Sequence, residues 1–232
     1  MIDRIQVIQK AVPSSQIAAD LIKNAARIGI TIDDCQLNSF LLYYGELITW
    51  NRQINLISEN SVQDIVERHF VDSLIPIHYL NRQDGFLVDL GSGGGFPGVP
   101  LKIMLPEMTA CLVDSSRKKT SFLSHLAVVL HLNNIEIIRG RIEDILTDAR
   151  FSGIFDTVIS RAAFKLAQLL VFSSYLLKQG GQLIAMKGAN LQKELLAAER
   201  IAEKAGMELN APLLNIPHIN NHAKNIAIYN RS

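Results

Sequence analysis

An apolar strand that ends in an acid and breaks into glycines restricts the fold of this chain more than any other stretch. Phe86–Leu90 has the strand pattern with Asp89 near its end, and four of the next five residues, Gly91 to Gly95, are glycine. Pro97 and Pro100 then open a segment with helical character, Gly98–Leu105. Glycine in a strand-to-helix turn lets backbone approach a ligand closely and aims helix N–H groups at it. The next strand, Thr109–Val113, runs into Asp114, 23 residues beyond Gly91. A nucleoside-binding α/β fold places the acid that takes ribose hydroxyls at about that distance. The pattern implies an adenosine-type cofactor.

Downstream of Phe86 the period alternates. Strands are expected at Phe86–Leu90, Thr109–Val113, Ile135–Arg139, Phe155–Ser160 and Gln182–Lys187. The expected helices between and after them are Pro100–Leu105, Arg117–His131, Ile142–Leu146, Lys165–Leu177 and Leu191–Ala205. Such alternation builds a mostly parallel sheet with right-handed crossovers. Two late strands, Leu213–Ile216 and Ile226–Tyr229, are too closely spaced for a crossover helix and read as an antiparallel pair. A Rossmann-like α/β sheet with a C-terminal hairpin is typical of class I methyltransferases. Residues 1–80 are helical instead, with apolar stripes over Ile17–Ile28, Leu37–Trp50 and Ser61–Leu80. Asp33 or Asp34 suits the start of the second helix, and Ser61 with Asp64 the start of the third. The expected organisation is a helical region, 1–80, packed on a catalytic domain, 81–232.

Composition narrows the class. Lys plus Arg total 23 against 22 for Asp plus Glu, so any nucleic-acid surface must be a local patch. Cys35 and Cys111 give neither a disulfide framework nor a metal spacing. No signal peptide or uncharged apolar run of about 20 residues is visible, so a cytoplasmic protein with neither membrane nor metal is expected.

The remaining motifs sort by chemistry. Gly93, Gly95 and Gly98 satisfy the G-x-G-x-x-G pattern, so a nicotinamide dinucleotide, and with it an NAD(P)-dependent oxidoreductase, is the alternative to a nucleoside. Against it, the unit starts late and leaves no room for a second substrate domain. Asp89 suits S-adenosylmethionine, whose ammonium and sulfonium favour a nearby carboxylate. Ile142-Glu143-Asp144, after the third strand, lies where adenine would sit, although acids also suit any helix start. Ser160-Arg161-Ala162-Ala163, after the fourth, borders the place of a methyl acceptor. No Asn/Asp-Pro-Pro-aromatic loop stands there for exocyclic amine methylation. Cys111 lies inside a strand and Cys35 in the helical region, so no cysteine nucleophile for pyrimidine carbon is placed. An acceptor with its own lone pair, such as a purine ring nitrogen, fits best. Arg52, Arg68, Arg117, Lys118, Lys165 and Lys187 could track phosphates, with Lys102, Lys119, Arg139 and Arg141 nearby. Scattered solvated charge is nearly as good a reading. Trp50 reads as a core anchor and His69 as a hydrogen-bonded structural histidine.

Taken in order, the segments Trp50-Asn51-Arg52 with Asn55 and Leu56, Arg68-His69 with Asp72-Ser73-Leu74, Asp89–Leu101, Val113-Asp114-Ser115 with Lys118-Lys119, Arg141 with Glu143-Asp144, Ser160-Arg161-Ala162 and Met186-Lys187-Gly188 closely resemble the ribosomal RNA small subunit methyltransferase G family, also called glucose-inhibited division protein B. The likeness runs from about Ile30 to Gly188. It implies methyl transfer from S-adenosylmethionine to N7 of guanine 527, in the decoding-region loop of 16S rRNA. Gly91, Gly93, Gly95 and Phe96 of the glycine loop, Asp114, and Ile142 with Glu143 would then hold the cofactor, and Arg161 would border its methionine or the target base. The partner would be 16S rRNA or the small subunit, the protein a monomer. The mechanism would be direct in-line displacement without a general base, Arg161 orienting the acceptor and Phe96 or Phe164 receiving the unstacked base. A ribosome-assembly factor that keeps the cofactor fold without turnover is the rival from another class.

Overall fold

The computed structural model describes residues 14–213 and 225–232, with the side chains of 211–213 left aside. Two helices open it, α1 (Ser14–Arg27) and α2 (Asp34–Asn51). Asp33, not Asp34, caps α2. Its carboxylate accepts from Gln36 N at 2.8 Å while Gln36 Oε1 accepts from Asp33 N at 3.0 Å, a reciprocal pair that contributes about 1 kcal/mol. Asn51 ends α2 and clamps the next loop, its side-chain oxygen accepting from Leu56 N and Ile57 N while its amide donates to Ile57 O.

The third helical stretch is not the single helix its apolar stripe predicts. It starts at Ser61, whose hydroxyl caps Asp64 N, as α3 (Val62–Ile65). It then widens into a π turn (Val66–Val71), resumes as α4 (Asp72–Leu74), and closes as a 3-10 turn (Ile75–Tyr79). Apolar spacing is blind to one extra residue per turn. Inserted π turns are frequent at functional sites, and this one carries Arg68 and His69.

Seven strands follow, β1 (Phe86–Leu90), β2 (Thr109–Asp114), β3 (Ile135–Arg139), β4 (Phe155–Arg161), β5 (Leu177–Lys187), β6 (Met207–Leu213) and β7 (Asn225–Arg231). The helices among them are α5 (Gly98–Met104), α6 (Arg117–Val129), α7 (Ile142–Leu146), α8 (Leu166–Leu176) and α9 (Leu191–Lys204). The strand order is β3-β2-β1-β4-β5-β7-β6. Strands β1 to β5 pair in parallel, while β7 runs antiparallel between β5 and β6. The chain therefore reverses at β1, with β2 on one side and β4 on the other. Open α/β sheets bind their ligands at such a switch point.

Two strands start well ahead of the sequence reading. The first arm of the hairpin is Met207–Leu213, earlier than the expected Leu213–Ile216, whose last three residues lie outside the described ones. Gly206, at φ +62, stops α9, so the strand begins at once. Strand β5 starts at Leu177 instead of Gln182, because Leu177 pairs with Phe155 before the register slips to Thr157 with Gln182.

The core lies on both faces of the sheet. One cluster packs Val88, Cys111, Val158 and Leu183 against Leu166, Leu169 and Leu170 of α8. Another unites Leu21 of α1, Phe40, Tyr43 and Leu47 of α2 and Phe70 with Val99, Phe122 and Leu126 of α5 and α6. Each such fully buried side chain contributes roughly 1.5–3 kcal/mol. The N-terminal helices thus complete one hydrophobic layer of the sheet's first half. No helix among the described residues is long and apolar enough to cross a membrane.

Candidate functional site

A cleft of about 550 Å³ opens at the carboxyl ends of β1, β2 and β4. Its floor is Leu90, Gly91 and Val113; Asp114 and Ser116 form one wall, Ile142 and Glu143 of α7 the next, and Arg161, Ala163 and Phe164 the far side. The four expected strand-end segments therefore converge.

The cofactor wall is built from backbone held by one carboxylate. Asp114 ends β2 and is buried, accepting from Gly93 N at 2.9 Å through one oxygen and from Ser116 N at 2.8 Å through the other. It thereby ties the glycine loop to the cap of α6. A carboxylate has about four acceptor positions, so lone pairs remain there for the hydroxyls of a ligand. Gly91 sits at φ +77, and a Cβ on it would overlap the Cβ of Ala163. Only glycine leaves that floor open. Ile142 is buried and Glu143 exposed on the wall beyond.

The other loop residues do not line the cleft. A Cβ at Gly95 would stand 2.6 Å from the Tyr43 hydroxyl, and Tyr43 donates that hydroxyl to Gly94 O. Phe96 is buried, stacked on Tyr43 with ring centres 5.3 Å apart and set edge-on to Phe70 at 5.6 Å. It plugs the loop into the helical region, so it neither lines the cleft nor offers a free face to a base. Phe164 does line the cleft, held edge-on by Phe172 at 5.4 Å.

Beneath the loop, Asp89 is fully buried. Its Oδ2 accepts from Gly98 N at 2.9 Å, and Oδ1 has no hydrogen-bond partner. Burial pushes its pKa up to about 7, against the Gly98 N–H and the charge of Arg161. A buried acid with an unused oxygen beneath a glycine loop fits a cationic ligand such as the S-adenosylmethionine ammonium.

Arg161, the last residue of β4, is partly buried. Its Nη1 donates to Arg68 O at 2.7 Å, its Nη2 to His69 Nδ1 at 2.8 Å, and its guanidinium lies 5.1 Å above the Phe96 ring. Burial lowers its pKa, while the carboxylates of Asp72, Asp89 and Glu59 and the Tyr43 hydroxyl favour the cation. Glu59 binds His69 Nε2 at 2.6 Å and Arg68 Nη1 at 3.5 Å. Burial alone would raise the Glu59 pKa, but its hydrogen bonds, joined by the charge of His69 when that ring is protonated, lower it to about 2. Glu59 had no motif to mark it; an acid nine residues before Arg68-His69 is an unremarkable spacing. Past Arg161, Ala162 takes a left-handed backbone, φ +58, and the chain turns so that Ala163 and Phe164 close the cleft. Such a turn costs a non-glycine residue about 1 kcal/mol and clusters at functional sites.

Among the expected phosphate-tracking residues, Arg52, Arg117, Lys118 and Lys165 are exposed. Lys187 is not part of that set. It is buried, donating to Phe164 O and pairing with Glu194 at 2.9 Å. Lys102 is likewise internal, donating to Pro106 O and Met108 O, and Arg68 is engaged by Glu59. The apolar pattern around them could not separate a buried lysine with acceptors from a solvated one.

A parallel sheet closed by an antiparallel β7, with a glycine turn, a β2 acid and a cleft at the switch point, defines a class I S-adenosylmethionine-dependent methyltransferase. Solved structures share the fold. The chain is similar to geranyl diphosphate C-methyltransferase from Streptomyces coelicolor A3(2), with a TM-score of 0.57, 13% identity, and 82% of this chain and 98% of that one covered. It is also similar to TYW2 of M. jannaschii, with a TM-score of 0.55, 17% identity, and 70% and 76% covered. Residues 36–225 match the family described as rRNA small subunit methyltransferase G, and the chain belongs to that family. The ribosomal RNA small subunit methyltransferase G of Syntrophus aciditrophicus (strain SB) is 49% identical over 186 residues, which is 80% of this chain and 77% of that protein. Membership removes the nicotinamide reading, and the fold agrees, since β7 sits antiparallel where a dinucleotide fold continues in parallel.

Proposed function

We propose that this chain transfers a methyl group to N7 of a guanine, guanine 527, in the decoding-region loop of 16S rRNA. The carrying observation is the makeup of the acceptor side of the cleft. Arg161, Ala163 and Phe164 form it, and none of these is a base or a nucleophile. His69 engages Glu59 and Arg161 through its two ring nitrogens, Asp89 is sealed beneath the loop, and burial pushes the Cys111 thiol up to about 12. An acceptor here must bring its own lone pair, and guanine N7 has one at neutral pH.

S-adenosylmethionine, held there, would supply a methyl group activated on a sulfonium sulfur. The protein's part is placement and exclusion of water. Gly91 would admit the nucleoside, Asp114 would take the ribose, and Ile142 and Glu143 would flank the adenine, with the buried Asp89 carboxyl beneath the loop adding to the field there. Positive charge moves onto the base during transfer, so a cation over the ring would oppose it. Arg161 is turned instead toward Arg68 O and His69 and acts as an orienting wall. Phe164 offers the ring on which an unstacked base can lie.

The test incubates small subunits and naked 16S rRNA from a strain lacking the enzyme with radiolabelled S-adenosylmethionine, then applies borohydride reduction and aniline cleavage. A single scission in the decoding-region loop is expected, absent without S-adenosylmethionine and weakened by Asp114→Ala when S-adenosylmethionine is limiting. Label that resists aniline cleavage, or label at another site, would overturn the N7 assignment.

A further inference from the structure

A chain of three side chains links the helical region to the acceptor side of the cleft. A guanidinium only donates, so His69 Nδ1, 2.8 Å from Arg161 Nη2, must be the acceptor and carry no proton. The proton of the neutral ring is then on Nε2, which donates to Glu59 at 2.6 Å. Glu59 thus selects the tautomer that presents a lone pair to Arg161. The second anchor of the guanidinium, Arg68 O, comes from the same π turn as His69.

We infer that Glu59 and His69 are positioning residues for methyl transfer: through the Nε2–H tautomer of His69 they hold Arg161 against the Phe96 ring, fixing the acceptor side of the cleft. The inference rests on the reading of Arg161 as the acceptor wall, not on which purine atom is methylated. It also requires His69 to be neutral. A protonated ring has no lone pair for Arg161 and sets two cations side by side. Glu59 and Arg161 bond His69 directly, Arg68 pairs with the same Glu59, and Asp72, Tyr43 and Asp89 act on Arg161.

The variants His69→Asn and His69→Gln separate this role from packing. Asparagine places an oxygen where Nδ1 stood and keeps an acceptor for Arg161. Glutamine reaches Glu59 with its amide N–H but leaves Arg161 without that acceptor. On the full chain, with transfer scored as label entering small subunits whatever atom receives it, His69→Gln should lower kcat about tenfold to a hundredfold, the scale of losing a hydrogen bond to a charged group. S-adenosylhomocysteine affinity, read by calorimetry, should stay within about twofold, since the cofactor wall is untouched. His69→Asn should retain most of kcat, and the acid limb of the wild-type pH profile should shrink in it, because asparagine takes up no proton. In 15N-histidine spectra one ring, lost in His69→Asn, should carry its proton on Nε2 at neutral pH. Equal losses in the two variants, full activity in both, or an Nδ1–H tautomer would overturn the proposal. If wild-type label enters small subunits but not at N7, the N7 reading fails and these comparisons still decide the relay.

Discussion

The two sides of the cleft are made in different ways. The cofactor wall is local: Gly91 and Gly93 are fixed by Asp114 and the carbonyl of Val113, from the adjacent strand. The acceptor wall is assembled across the fold, with Arg161 reaching Arg68 and His69, 93 and 92 residues away. The first follows from strand-end geometry common to the class, whereas the second needs the helical region docked in one register. A class can therefore keep one wall and vary the other.

The comparison breaks most visibly at Gly91. Gly91→Val puts a branched side chain into Ala163 at a φ that valine resists. Cofactor affinity should fall about a hundredfold or more, through overpacking and backbone strain together. Calorimetry with S-adenosylhomocysteine reads it, and an unchanged affinity would mean that the cleft floor does not meet the cofactor.

Asp89 lies under both walls and gives the next effect. Its folded pKa of about 7 exceeds the unfolded value, 3.8, so the folded state binds the proton more tightly. Apoprotein stability contributed by the neutral acid is complete below about pH 4 and is lost as pH rises toward 7, by at most ~4 kcal/mol. Denaturant midpoints across that range should decline, and Asp89→Asn should flatten the decline. A wild-type midpoint that instead rises steadily through it would show the acid to be charged in the fold.

Asp114→Ala should weaken cofactor binding about tenfold, having lost the acceptor for Gly93 N and Ser116 N. Label transfer at saturating cofactor should recover much of its rate, because Arg161 is untouched. Arg161→Ala reverses the pattern, with kcat reduced and cofactor affinity nearly kept. If both variants lose the same parameter, the two walls are not separable.

What could be read from the sequence follows the same division. β1 and β3 have the bounds their alternation indicates, and β2 and β4 differ by one residue, since strand periods and glycine or proline breaks are local signals. The helical stretch after Ser61 was legible as helix but not as a π turn, because hydrophobic spacing tolerates the extra residue. Asp114 could be placed from its distance to Gly91. Glu59 could not, since only docking brings it to His69. Phe96 shows the limit from within a motif: it belongs to the glycine loop in sequence and to the aromatic core of the helical region in space.

The smallest effects concern the charges outside the cleft. Arg117 and Lys118 start α6 on the surface next to Ser116, at the rim of the cofactor wall, whereas Lys187 is sealed behind Phe164. A phosphate-contacting cation releases about one counterion, so its removal should lower the salt slope of RNA binding by about one and weaken binding only a few-fold. Arg117→Ala and Lys118→Ala should show this with unchanged melting temperature. Lys187→Ala should do the opposite, leaving the salt slope alone while lowering thermal stability, since Phe164 O and Glu194 lose a buried charged partner. A salt slope that moves for Lys187 and not for Lys118 would put the RNA on the acceptor face alone, and the cofactor rim would then carry only solvated charge.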